Sequence, residues 1–119
     1  MKRIVRLSRS SDIKKVQRQG RSFAGTCAVL LVLENIENQT RLGVITSTAI
    51  GNAVKRNKAR RRIKACLMQF QPLLTVGVDI LIIARRSINC TEYQELKNEI
   101  ERLLHQAGVL GINGNDLQF

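Results

Sequence analysis

Residues 51 to 66 read Gly51-Asn52-Ala53-Val54-Lys55-Arg56-Asn57-Lys58-Ala59-Arg60-Arg61-Arg62-Ile63-Lys64-Ala65-Cys66, seven cationic side chains with no acidic one among them. This is the chemistry of phosphate recognition. Arginine presents a planar fork that grips phosphate through two hydrogen bonds and stacks on bases, while lysine supplies a mobile point charge. The mixture suits folded RNA. The expected RNA-binding residues are therefore Lys55, Arg56, Asn57, Lys58, Arg60, Arg61, Arg62 and Lys64, with Gly51 and Asn52 leading into them. With three Phe, one Tyr and no Trp, the chain is poorly supplied for stacking on extended single strands.

Chemistry of the other kinds is thinly represented. The single histidine, His105, has no cysteine beside it and no paired acid in sequence, so it reads as a surface or half-buried residue. The acids show no ligand spacing, and a protein-bound catalytic metal is not expected. The Gly51 region lacks the G-x-x-x-x-G-K spacing of a phosphate-cradling loop. Cys27, Cys66 and Cys90 are scattered, which suggests neither a disulfide framework nor a zinc site and predicts small buried side chains in a reducing compartment. No catalytic residue is assigned to the polypeptide.

The charge distribution supports a polyanionic partner. The formal net charge is +11, and such a field attracts nucleic acid or an anionic surface before any specific contact forms. Residues 1–78 hold sixteen Lys or Arg against Asp12, Glu34 and Glu37, whereas residues 79–119 hold four against six acids. Between Glu37 and Asp79 there is no acidic residue at all, so the cations around the motif have no sequence-local partners. The start of the chain lacks the apolar run of a signal peptide, and no run is long enough to span a bilayer, so a soluble cytoplasmic protein without a membrane partner is expected.

The elements that must position the basic run follow from periodicity. Ser10 or Ser11 is expected to cap a first helix to about Gln19, with Ile13 and Val16 as its apolar stripe and Gly20 as a left-handed stop. Cys27 to Leu33 reads as a buried strand, followed by a polar turn and a second strand from Arg41 to about Thr46, joined as an antiparallel hairpin. A short extra strand near Arg21 to Phe23 is left open. The basic segment is helical from about Ala53 to Phe70, with Ala59, Ile63, Cys66, Leu67 and Phe70 on one buried stripe and Arg56, Arg60 and Lys64 on another face; Pro72 stops it. Val76 to Ala84 is a third strand. A last helix begins at Thr91, boxed with Gln94, and carries Tyr93, Leu96, Ile100, Leu103, Leu104 and Ala107 on one face. The reading is one α+β domain over residues 1–108 and a flexible tail over 109–119.

These residues resemble a known family. Arg41-Leu42-Gly43-Val44 followed by the run from Gly51 to Arg62 is similar to the arginine-rich signature of the bacterial ribonuclease P protein subunit. Arg6-Leu7, Asp12 with Val16 and Gly20, the strand from Val78 to Arg85 and the Tyr93-containing helix stand where that family places similar segments. The resemblance implies a fold like the second domain of ribosomal protein S5: a two-layer sandwich with a small four-stranded mixed sheet and a left-handed crossover through the basic helix. It also implies two partners, the ribonuclease P RNA and precursor tRNA, and no small-molecule substrate. In that family the RNA supplies the active site and binds most of the Mg2+ that supports hydrolytic removal of the 5′ leader. The protein screens phosphate repulsion and holds the leader in a cleft between the first helix and the sheet. By the same resemblance that cleft contains Ile13, Gln17, Phe23 and Leu31, the first, second and fourth standing where family members commonly carry aromatics. Lys58 replaces the second arginine of the signature, and Thr48-Ala49 replaces a pair of lysines. The alternative is a structural RNA-binding protein of ribosomal type with no link to tRNA processing; an architectural DNA-binding protein is a third class.

Overall fold

The computed structural model describes residues 4–110. In chain order these form β1 (Ile4–Arg6), α1 (Ser10–Gln19), β2 (Arg21–Ala24), β3 (Ala28–Glu34), β4 (Thr40–Ile45), α2 (Ala53–Phe70), β5 (Val78–Ala84) and α3 (Tyr93–Ala107), with 3-10 turns at Thr48–Ile50, Gln71–Leu73 and Arg86–Cys90. The architecture is α+β with a mixed sheet, and it has five strands where four were expected, in the order β1-β4-β5-β3-β2. The strand left open in sequence near Arg21 to Phe23 is present as β2, Arg21–Ala24. β1 is the addition, three residues too short to leave a period and paired parallel to β4.

The expected hairpin between the two strands on either side of Glu34 to Gln39 does not form. β5 lies between them, antiparallel to β3 and parallel to β4. It is buried at six of its seven positions. A strand of that character belongs at the centre of the sheet, where neither face meets water. Its parallel pairing with β4 requires a crossover, and α2 is that crossover.

Strand alternation divides the core in two. Leu30, Val32, Ile80 and Ile82 face α2 and α3 in the larger cluster, while Leu31 and Leu81 face the other side with Val16 of α1. The two-layer sandwich is therefore extended by α1, which lies alone on the opposite face. Ile13, Leu33, Ile45 and Ile83 pack around this second cluster only partly buried, because a ten-residue helix with a single buried position, Val16, is too small to cover a five-stranded sheet.

Local details depart from expectation at three helix ends. The N-cap of α1 is Arg9, with no side-chain cap, and Ser10 is already helical. Gly20 is not left-handed; its φ is −73°. It is required for close approach, since a Cβ there would stand 2.5 Å from the Val16 carbonyl oxygen and 3.0 Å from that of Val32. The capping box of α3 is shifted by one residue to Glu92 and Glu95, with the Glu95 carboxylate accepting from the Glu92 N–H at 3.1 Å. Tyr93 sits outside the buried stripe and is exposed. Cys27 and Cys66 are buried as expected, whereas Cys90 is exposed. Val109 is buried and Leu110 bridges to Leu74, so ordered structure continues past residue 108; the remainder of the expected tail, 111–119, lies outside the described residues.

Candidate nucleic-acid interface

α2 begins where its sequence says it should. Asn52 is the N-cap, its Oδ1 accepting from the Lys55 N–H at 3.0 Å. Gly51 precedes it at φ 134° and ψ −151°, a conformation open to glycine and strained for other residues. Ala59, Ile63, Cys66, Leu67 and Phe70 are buried against the sheet and α3. That stripe fixes the rotation of the helix, so the cations are turned outward. The first turn holds no acid, and the positive end of the helix dipole adds to the side-chain charges there.

The eight polar residues expected to meet RNA do not behave alike. Lys55, Asn57, Lys58, Arg61 and Lys64 are exposed. Arg56 is half-buried and donates through Nη1 to the Gly51 carbonyl at 2.7 Å. Arg60 donates to Thr46 Oγ1 at 2.7 Å and to Asn57 Oδ1 at 3.0 Å, which fixes its plane while leaving further N–H groups free. No ion pair among the described residues involves any of these cations. Their positive charge is uncompensated.

Arg62 is different. Its guanidinium turns inward, donating to the Ile88 carbonyl at 3.0 Å and also to the Thr91 carbonyl. It fastens the 3-10 turn Arg86–Cys90 to α2, so two of its N–H groups are committed to backbone carbonyls. Asn89 completes the fastening by donating to the Ile50 carbonyl at 2.7 Å. Four arginines in seven residues made Arg62 look like the others; only the turn 26 residues away distinguishes it.

The cleft residues are also split. Ile13 and Leu31 share the second core cluster on the α1 face, and Gln17 is exposed on α1. Phe23 is on the opposite face of the sheet, packed against the larger cluster. Phe23 is in register with Leu30, and cross-strand partners point to the same side, so Phe23 parts from Leu31 by the alternation of β3. Its ring lies 5.8 Å from the Arg21 guanidinium, whose Nη2 donates to the Ala107 carbonyl at 3.3 Å.

What fixes α1 over its face of the sheet is an ion-pair network that sequence reading missed. Arg41 donates to Asp79 through Nε and Nη2, both at 2.7 Å, and to Asp12 of α1 through Nη1 at 3.2 Å. Asn35 adds a third donor to Asp79 at 2.7 Å. The hydrogen bonds to Asp79 raise the Arg41 pKa further above its ordinary range. Asp12 is thus the link between α1 and β4. One signal was available: Arg41 and Asp79 are lone opposite charges within two apolar strands, and they stand in direct register.

The ribonuclease P family model matches residues 1–108. The chain belongs to the ribonuclease P protein family. It is 35% identical over 104 residues to the ribonuclease P protein component of Streptococcus pneumoniae serotype 4, covering 87% of this chain and 85% of that one. Its structure is similar to that of the Staphylococcus aureus RNase P protein, with a TM-score of 0.82 at 29% identity over 89% of this chain and 97% of the other. The RNase P protein of Thermotoga maritima shares the fold, with a TM-score of 0.76 at 23% identity over 85% of this chain and 96% of the other. In this ribonuclease P protein α2 carries exposed cations with no acid among them, while one acid of the last third is engaged at a turn. Glu99 accepts from the Thr26 and Cys27 amides at 3.0 and 2.9 Å and holds the β2–β3 turn. No described helix is long and apolar enough to cross a membrane.

Proposed function

We propose that this chain is the non-catalytic protein subunit of ribonuclease P, docking on the catalytic RNA through the outward face of α2 and assisting removal of the 5′ leader from precursor tRNA. The observation that carries this reading is the unpaired cationic surface of α2, built on a helix whose rotation is fixed by its buried stripe. Lys55, Lys58, Arg61 and Lys64 supply mobile or exposed charge, and Arg56 and Arg60 supply oriented forks. The RNA contributes the reacting groups and binds most of the Mg2+. The protein's part is to neutralise phosphates that would otherwise repel one another, which lowers the Mg2+ needed for activity.

The leader lies on the α1 face of the sheet in this reading, against Ile13, Leu31 and the partly buried Ile83, with Gln17 at the rim. Phe23, on the other face, has no part in it. The working compartment is the cytoplasm, where both RNAs reside. Reconstitution with the cognate ribonuclease P RNA at low Mg2+ is expected to restore cleavage of precursor tRNA; absence of stimulation overturns the proposal. Sequencing RNA that co-purifies with the chain separates it from a ribosomal-type binder. The subunit brings down one abundant structured RNA with precursor tRNAs, whereas a ribosomal protein brings down rRNA.

A further inference from the structure

A cavity of about 540 Å³ opens between α2 and the edge of the sheet made by β1 and β4, within the size range of small-ligand sites. Leu42 and Val44 of β4 and Leu67 of α2 give it an apolar lining, with Met68, 54% exposed, also lining it from α2. Arg6, Arg60 and Lys64 line it as well, and no acidic side chain among the described residues does. Ser8 and Gln71 are its neutral polar members, so an apolar lining whose charged part is purely cationic fits a ligand with one apolar face and one anionic group.

The sheet edge makes the fit more specific. β1 pairs with β4 only as far as Arg6 with Leu42, and the Leu42 carbonyl accepts from the Leu7 N–H at 2.8 Å. Backbone polar groups alternate sides along a strand, so those of Val44 point to the same edge as those of Leu42. There β1 has ended, while β4 continues to Ile45 paired with β5 on its other side. Val44 therefore offers one N–H and one C=O side by side without a strand partner. An acyl anion would leave that pair unused; a nucleobase edge, which presents donor and acceptor together, matches it.

We propose that this cavity receives one unstacked nucleotide of the RNA docked on α2, its base against Leu42, Val44 and Leu67, its edge on the Val44 backbone and its phosphate on Arg6 and Lys64. This rests on the reading of α2 as the RNA-facing surface, since Arg60 and Lys64 belong to both. The nucleotide belongs to the catalytic RNA, since the leader is assigned to the α1 face.

Two measurements test it. In the first, the free chain, labelled with nitrogen-15, is titrated with each nucleoside 5′-monophosphate and, separately, with inorganic phosphate. The expected result is a saturable shift of the Val44 amide with at least one nucleotide, absent with phosphate and absent in Met68→Trp, which blocks the cavity. Shifts confined to Arg6, Arg60 and Lys64, or equal with phosphate, overturn the proposal. In the second, base-modification footprints are taken on the catalytic RNA and on precursor tRNA bound to the wild-type chain and to Met68→Trp. One protected nucleotide is expected to regain reactivity in the variant, with RNA affinity lowered about tenfold. The protected nucleotide is expected on the catalytic RNA; its appearance on precursor tRNA alone overturns the assignment. Identical footprints overturn the proposal, and a fold check on Met68→Trp comes from its amide spectrum, with Met68→Glu as the second blocking variant. Failure of the wild-type chain to bind either RNA counts instead against the role of α2, because the nucleotide titration needs no RNA partner.

Discussion

Arg61 and Arg62 are neighbours of the same type in the same helix, and the structure gives them opposite surroundings. Arg61 is exposed with no partner among the described residues; Arg62 donates to the carbonyls of Ile88 and Thr91. Hydrogen bonds from a charged donor contribute roughly 1.5–3 kcal/mol each. Truncation of Arg62 frees two carbonyls of a turn near the surface, which water can partly re-satisfy, so Arg62→Ala is expected to cost about 2 kcal/mol. With a urea m-value of about 1.5–2 kcal/mol/M for a domain of this size, the unfolding midpoint should fall by about 1 M. Arg61→Ala should leave it unchanged. The order reverses in RNA binding. Loss of one phosphate contact flattens the dependence of log K on log salt by roughly 0.7–0.9, which Arg61→Ala should show and Arg62→Ala should not. Urea unfolding followed by circular dichroism, and filter binding to ribonuclease P RNA across a salt series, measure the two quantities on the same preparations. If Arg62→Ala flattens the salt slope as much as Arg61→Ala and leaves the urea midpoint in place, the inward assignment of Arg62 is wrong.

Other perturbations probe the frame around the site. Asp79, with its side chain 4% exposed, holds Arg41 through two hydrogen bonds; Asp79→Asn leaves a half-buried guanidinium with only Asp12, and a loss of roughly 3 kcal/mol is expected by thermal or urea unfolding. Gly51→Ala places a side chain at φ 134°, with its Cβ 2.8 Å from Lys55 Cδ; a loss of roughly 1–3 kcal/mol should appear in the melting temperature, accompanied by weaker RNA binding as the N-terminus of α2 shifts. Burial and the Glu99 carboxylate push the Cys27 thiol from 9.0 up to about 11. An unfolded thiol ionises near pH 9 while the folded one stays neutral, so this contribution to stability is complete below pH 9 and is lost as pH rises to about 11. A disulfide exchange reagent at pH 8 should accordingly titrate one thiol, Cys90, in the native chain and all three after unfolding.

The extent of α2 and its buried stripe were legible from residue types and their spacing. Its bounds, Ala53 and Phe70, and its buried stripe depend on interactions within four residues along the chain, which periodicity and residue type report directly. The three long apolar strands were legible for the same reason, each within a residue or two of its ends. The composition of the interface was equally local, since charge and the absence of neighbouring acids are properties of the sequence. Arrangement was not. The insertion of β5 between β3 and β4 joins residues 38 and more positions apart, and no local pattern distinguishes it from a hairpin.

The same limit governs individual side chains. Strand alternation in the sequence says that Phe23 and Leu31 each have a face, but only the register with Leu30 shows that the faces are opposite. Arg62 carries the same charge and the same helical environment as Arg61, and its inward turn exists because the carbonyls of Ile88 and Thr91 arrive there through the tertiary fold. Arg41 and Asp79 became a pair, and Asp12 their link to α1, when β4 and β5 came into register. Sequence determined which helix is cationic, because charge and helical period are written residue by residue; tertiary structure decided which of those cations remain without a partner in the fold, because hydrogen-bond partners are chosen by proximity in space.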